Sequence, residues 1–231
     1  MPIARTCRHF ASIDSTNTYA LNWPDAPHGA LVWADSQTAG RGRLGRTWSS
    51  PAGLGLYFSL VLRDLEPPAK ARLSLLVGLA VAEAVEETSG VRTQIKWPND
   101  ILAQGHKIGG ILCEATGERV VAGVGLNLNQ AEDELPVRPI FPASSLLLLA
   151  GRCFDGPQTL ELVLHSLDTC LSSIGWPIQR SAIQQRLYGL NELAKVGGVM
   201  GLIEGISDDG ALLLRTADGL IEITSGEVEF F

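Results

Sequence analysis

The chain has 231 residues, 45% of them hydrophobic and 19% charged, which fits a globular protein of one large domain, or one ordinary domain with a small appendage, and excludes a disordered or collagen-like chain. Eighteen basic against 25 acidic residues give a net charge of −7, a poor match to general DNA binding. No run approaches the roughly 18 apolar residues of a membrane helix, and Arg5, Arg8 and His9 are not followed by the apolar run of a secretion signal, so a cytoplasmic protein without membrane contact is expected.

In chain order, residues 8–13 read as a short strand. Asp14-Ser15-Thr16-Asn17 then supplies N-cap side chains for a helix through Tyr19, Ala20 and Leu21. Residues 30–34 form an apolar strand ending at Asp35-Ser36, and 54–62 a second one after a loop rich in glycine and arginine. Leu73, Leu76, Val77, Ala80, Val81, Ala84 and Val85 repeat at helical spacing across 70–88, ending before Gly90. Strands are expected at 91–97, 107–115 and 119–128, with short connections that favour antiparallel pairing. A Pro-rich loop covers 133–142. Helices follow at 159–174, where Leu160, Val163, Leu164, Leu167 and Leu171 share a face, and at 178–187. From Val196 onward short strands are broken by Asp209-Gly210, Asp218-Gly219 and Ser225-Gly226. The fold class expected is α+β, a mixed and largely antiparallel sheet packed by helices, with residues 1–190 as one domain and 191–231 as a small β domain.

Cys7, Cys113, Cys153 and Cys170 contain no C-x-x-C pair, and His9, His28, His106 and His165 no H-x-x-x-H pair. Neither a disulfide framework nor a zinc site is expected, and the cysteines read as small buried hydrophobes. From Ser36 to Arg63 the chain holds four arginines and no Asp or Glu, which leaves −11 on the rest. A focused positive spot in an acidic protein suits a small anion, a phosphate or a carboxylate.

Gly40-Arg41-Gly42-Arg43-Leu44-Gly45 satisfies G-x-G-x-x-G, and Gly40 to Thr47 is one residue short of a Walker A loop, with Arg46 in the place of lysine. Both motifs require a helix directly afterwards, and Arg46-Thr47-Trp48-Ser49-Ser50-Pro51 does not read as one. What survives is the physics: glycines admit an anion to backbone N–H groups, arginines offer planar donor forks, and Trp48 offers a flat face to a ring. Lys96-Trp97-Pro98-Asn99-Asp100 places a lysine at a strand end before a turn. Taken singly, each string also has a plain structural reading: a solvated loop, a solvated strand-end lysine, a helix cap at Ser15, Thr16 and Asn17, and a strand of low bulk at Gly123-Val124-Gly125-Leu126-Asn127.

Together with Gln37 and Lys107-Ile108-Gly109-Gly110-Ile111-Leu112-Cys113-Glu114, these strings stand in an order that resembles the biotin protein ligases, from about Phe10 to the end of the chain. The resemblance implies a class II synthetase-like catalytic domain with an SH3-like C-terminal domain. It also implies that biotin and ATP, with Mg²⁺, form biotinyl-5′-AMP, and that the biotinyl group passes to a lysine of a biotin carboxyl carrier protein. By the same resemblance, biotin would meet Ser15, Thr16, Asn17, Gln37, Gly40, Arg41, Gly42, Arg43, Lys96, Gly123 and Gly125. ATP would meet Arg43, Arg46, Trp48, Lys96 and Asn127, with Lys96 and Arg43 the catalytic pair. The base for the second step is open between Asp100 and Glu114.

Because the chain starts almost at the catalytic strand, no operator-binding domain and no repressor function are expected. The tail ends Gly226-Glu227-Val228-Glu229-Phe230-Phe231, without the basic residue that some members present to nucleotide. Monomer and homodimer are both open. The competing readings are a lipoate or octanoyl transferase of the same fold, a biotin-binding sensor, and a nucleic-acid-binding module, the last opposed by the acidic charge.

Overall fold

A computed structural model describes residues 6–137, 141–172 and 175–231. Parts of two expected elements, 138–140 of the Pro-rich loop and 173–174 at a helix end, lie outside the described residues. The strands are β1 (Cys7–Phe10), β2 (Ala30–Ala34), β3 (Gly55–Arg63), β4 (Gln94–Lys96), β5 (Asp100–Ala103), β6 (His106–Thr116) and β7 (Arg119–Asn127), then β8 (Leu193–Val196), β9 (Val199–Ile206), β10 (Leu212–Thr216), β11 (Gly219–Ile223) and β12 (Val228–Phe230). The helices are α1 (Thr16–Leu21), α2 (Pro67–Ser89), α3 (Leu146–Ala150), α4 (Gly156–Ser172) and α5 (Trp176–Gln185).

The first seven strands make one sheet in the order β1-β2-β3-β7-β6-β5-β4. Only β1 and β2 are parallel within it, so the sheet is mixed and largely antiparallel, as expected. The last five strands form a separate antiparallel sheet, β11-β10-β9-β8-β12. Two elements escaped the sequence reading. β5 is four residues in a tight hairpin, and α3 is a five-residue turn of helix capped by Ser145 and Gly151. The strand expected over 91–97 shrinks to Gln94–Lys96.

α2 shows why one sheet face is closed. Its predicted stripe is buried, and so are Leu75, Leu79 and Ala82 on the other side, because α4 covers the helix from behind while the sheet packs in front. A helix apolar nearly all round belongs in a core. Gly90, at φ +72°, ends it in the left-handed conformation that glycine tolerates. α1 and the Gly/Arg loop lie on the opposite sheet face, so that face carries the candidate site.

The two sheets share one apolar cluster, which includes Phe58 and Val81 together with Ile203, Leu212, Leu214 and Val228. Polar ties reinforce it at the β9–β10 turn. Trp97 Nε1 donates to the Gly210 carbonyl at 3.1 Å, Arg72 pairs with Asp209, and Arg180 bonds both Asp208 and the Ile206 carbonyl. Trp97→Phe should keep the apolar contact but leave the buried Gly210 carbonyl without its donor, at a cost of about 1–3 kcal/mol, read from the denaturant midpoint.

The cysteine expectation needs correction: Cys170 is buried, but Cys7 on the edge strand β1 and Cys153 between α3 and α4 are exposed. Burial pushes the Cys113 and Cys170 thiols up to about 12, so neither is a nucleophile at neutral pH. Among the described residues no helix is long and apolar enough to cross a membrane.

Candidate active site

The cleft floor is set by strand register. Gly125 of β7 pairs with Gly110 of β6, and Gly123 pairs with Ser59 of β3 and Leu112 of β6, so alternate positions on one sheet face lack side chains. The trough so formed receives what α1 and the loop supply. A Cβ on Gly123 would overlap Asn17 Oδ1, and one on Gly125 would overlap the Trp48 indole. Here the missing side chains of this low-bulk strand admit Asn17 and Trp48.

At one end lies a buried polar network. Ser15 caps α1, and Gln37 Oε1 accepts from the Thr16 backbone N–H at 2.9 Å while Gln37 Nε2 donates to Ser50 Oγ at 2.8 Å. The Ser59 hydroxyl lies between Thr16 Oγ1 at 2.8 Å and Asn17 Oδ1 at 2.6 Å. Asn17 spends its amide on Leu112 O and Glu114, so it braces the floor and keeps no N–H for a ligand. The Ser15 O–H and the second Gln37 N–H stay available to one.

The loop closes as a small hairpin: Trp48 N–H donates to Gly40 O at 2.9 Å, and Gly42 N–H to Arg46 O at 2.7 Å. After a 3₁₀ turn at Arg43–Gly45 the chain runs on to β3, so no α-helix follows the glycines and the dinucleotide and P-loop readings fall. All three of its arginines are engaged. Arg41 forks onto Glu114 at 2.7 and 3.0 Å, Arg46 forks onto Glu227 at 2.5 and 2.7 Å, and Arg43 donates to Asn99 Oδ1 at 3.0 Å. The acids absent from the loop's own neighbourhood in sequence are brought from β6 and from the tail.

Lys96, at the end of β4, is buried, and burial holds its ammonium below the ordinary lysine value of 10.5. An arriving anion would favour the charged form by replacing lost solvent with a counter-charge. Across the β5–β6 hairpin Lys107 is ion-paired with Asp100.

These groups line one open cleft, with Ser15, Thr16, Asn17, Gln37, Arg41, Gly42, Arg43, Arg46, Trp48, Lys96, Gly123 and Gly125 all in its wall. Two of the residues expected to bind ligand are not in that wall. Gly40 packs under the loop, where a Cβ would strike the Trp48 carbonyl. Asn127 is buried, bonded to the Ser144 carbonyl and near Gln130, and faces a smaller adjoining cavity that Trp48 and Lys107 share. The sequence reading gave no role to Asn99, Lys107, Gly110 or Glu227, which the fold adds to the wall.

Glu227 is 181 positions from Arg46, and only the fold brings them together. Its carboxyl is held below the ordinary 4.5, chiefly by the Arg46 hydrogen bond. The pair therefore stabilises the protein above that pH and stops doing so as pH falls through the lowered value. Glu227→Gln should destabilise the protein slightly near pH 7, by at most about 1 kcal/mol for so exposed a pair, seen as a small fall in the thermal midpoint. The gap to the unaltered protein should close below pH 4.5 in a pH series of melts.

Residues 9–130 match the biotin/lipoate A/B protein ligase family and 196–230 the biotin protein ligase C-terminal domain. The biotin–[acetyl-CoA-carboxylase] ligase of Paracoccus denitrificans is 38% identical over 237 residues, covering 95% of this chain and 98% of that one. The chain belongs to the biotin protein ligase family. The bifunctional ligase/repressor BirA of Bacillus subtilis is 38% identical over 218 residues, 89% of this ligase and 67% of BirA. The Aquifex aeolicus biotin protein ligase in complex with biotin and ATP superposes with a TM-score of 0.87 at 33% identity, over 97% of this chain and 98% of that one. The ligase fold expected from the sequence is therefore present, with its C-terminal antiparallel sheet.

Proposed function

We propose that the cleft joins biotin to ATP and then transfers the biotinyl group to a lysine of a biotin carboxyl carrier protein. The observation that carries this is the convergence of Lys96, Lys107, Arg43 and Arg46 on one cleft whose far end is the uncharged network of Ser15, Thr16 and Gln37. A cyclic urea head group suits that network, since it needs donors for its oxygen and acceptors for its N–H groups. A carboxylate and a triphosphate suit the cations.

In the first step the biotin carboxylate attacks the α-phosphorus, the bond to the bridging oxygen breaks, and pyrophosphate leaves. Two anions must meet, so Lys96 and Arg43 offset their repulsion and the charge that develops, while Arg46 takes the leaving phosphates and Trp48 the adenine. In the second step the carrier amine, deprotonated, attacks the acyl carbon and AMP leaves.

Mg²⁺ prefers oxygen ligands and usually binds through one or two carboxylates plus substrate phosphates. Among the described residues the cleft-lining carboxylates are Asp100 and Glu227, each held by a cation, Lys107 and Arg46, so such an ion would be bound chiefly through substrate phosphates and water, where it would neutralise phosphate charge. Residues 1–190 would hold both substrates, and 191–231 would reach the site through Glu227. A cytoplasmic place accords with ATP use and the four free cysteines.

The test is biotin-dependent ATP–pyrophosphate exchange followed by transfer of labelled biotin to a carrier domain. Exchange with transfer is the expected result. Biotin binding without exchange would favour a sensor, and preference for lipoate in a competition titration would favour a lipoate-specific enzyme.

A further inference from the structure

Glu114 takes part in the loop's closure yet has no place in the chemistry proposed above. Its carboxylate is not among the groups that line the cleft, and it is partly exposed. Both oxygens receive the Arg41 fork, and Oε2 also accepts from Asn17 Nδ2 at 3.0 Å. A general base must reach the proton it removes, within about 3 Å or through one water. A carboxylate already accepting three hydrogen bonds outside the cleft is poorly placed for that.

The bonds form an unbroken chain from floor to loop. Thr16 meets Ser59, Ser59 meets Asn17, Asn17 donates to Glu114, and Glu114 holds Arg41. Each link is 3.0 Å or shorter, and the links up to Asn17 are buried. The carboxylate is thus the junction between the surface that would hold the head group and the hairpin that would cover it. Arg41 is the first arginine of that hairpin, between the Gly40–Trp48 and Gly42–Arg46 rungs, so fastening it fastens the whole loop.

We propose that Glu114 is a positioning residue: acting through Arg41, it holds the 40–48 hairpin down and so retains the biotinyl adenylate between the two half-reactions. The inference rests on the ligase reading. A bidentate, charge-assisted pair is the geometry in which a half-exposed ion pair has measurable worth. Glutamine has the same shape but offers one acceptor in place of two and turns an NH₂ toward Arg41 or Asn17, which are both donors.

The experiment measures adenylate formation by pyrophosphate exchange, and adenylate release by the labelling of a bystander protein that carries no carrier domain. Glu114→Gln should still make adenylate but release it about three- to tenfold faster. Glu114→Asp, which keeps the charge on a shorter arm, should fall between, and it serves if the glutamine variant fails to fold. In an Arg41→Gln background Glu114→Gln should add nothing, because the latch acts through that arginine.

Unchanged release in Glu114→Gln, or additive effects in the double variant, overturns the proposal. So does slowed transfer to the carrier with unchanged release, which would make Glu114 a base. Absence of exchange in the unaltered protein would instead remove the ligase reading itself, so the two failures are distinct.

Discussion

Lys96→Ala and Arg43→Ala should each lower biotin-dependent adenylate formation by about 10²–10³-fold, the scale of losing one preorganised charge donor at a developing anion. Both effects should appear mainly in kcat, because the interaction strengthens as the carboxylate and phosphate close on one another. Folding should survive. Removing Lys96 takes away a buried ammonium that burial already disfavours, so the variant should melt no earlier than the parent. Arg43 gives up one hydrogen bond to Asn99, which keeps its own bond to the Ile111 carbonyl. Pyrophosphate exchange alongside thermal melts separates the outcomes; near-normal exchange in either variant would end its assignment as a catalytic group.

Gly123→Ala should impair both stability and biotin binding. The added methyl would overlap the Asn17 side chain, which is pinned on three sides by Ser59, Leu112 O and Glu114. Relief must come from moving Asn17 or spreading the sheet at the Ser59–Gly123 pair. Overpacking of this kind costs about 1–3 kcal/mol. Displacing Asn17 also disturbs Thr16 through Ser59, so biotin affinity should fall at least about tenfold, the equivalent of roughly 1.4 kcal/mol. Gly78, on α2, is a useful control: its Cβ would meet only ordinary contacts at 3.7 Å, and Gly78→Ala should leave biotin titrations unchanged.

The parts of the fold legible in the sequence were those with a long apolar period. The α2 stripe and strands β2, β3, β6 and β7 each repeat enough residues to declare their geometry. β5 and α3 did not, because four or five residues hold barely one period of either pattern. Within the site, the strings around Arg43, Lys96 and Gly125 were readable as chemistry that needs particular residue types. Asn99, Lys107 and Glu227 were not, since each looks ordinary until a hairpin or a distant sheet turns it inward. The arginine loop shows the same limit: without its partners in view it read as an unneutralised positive patch, whereas Glu114 and Glu227 approach from 73 and 181 positions away.

The β9–β10 turn bears on whether this architecture is modular. Gly210 presents its carbonyl to Trp97, the neighbour of Lys96, while Asp208 and Asp209 face Arg180 and Arg72. A five-stranded cassette exchanged between relatives would therefore have to bring complementary partners on α2, on the turn after β4 and on α5, or settle crookedly against the main sheet. Substitutions in the turn and in those three anchoring segments would be constrained jointly, as a lock and its strike plate are, even though well over a hundred positions separate Arg72 and Trp97 from the residues they grip.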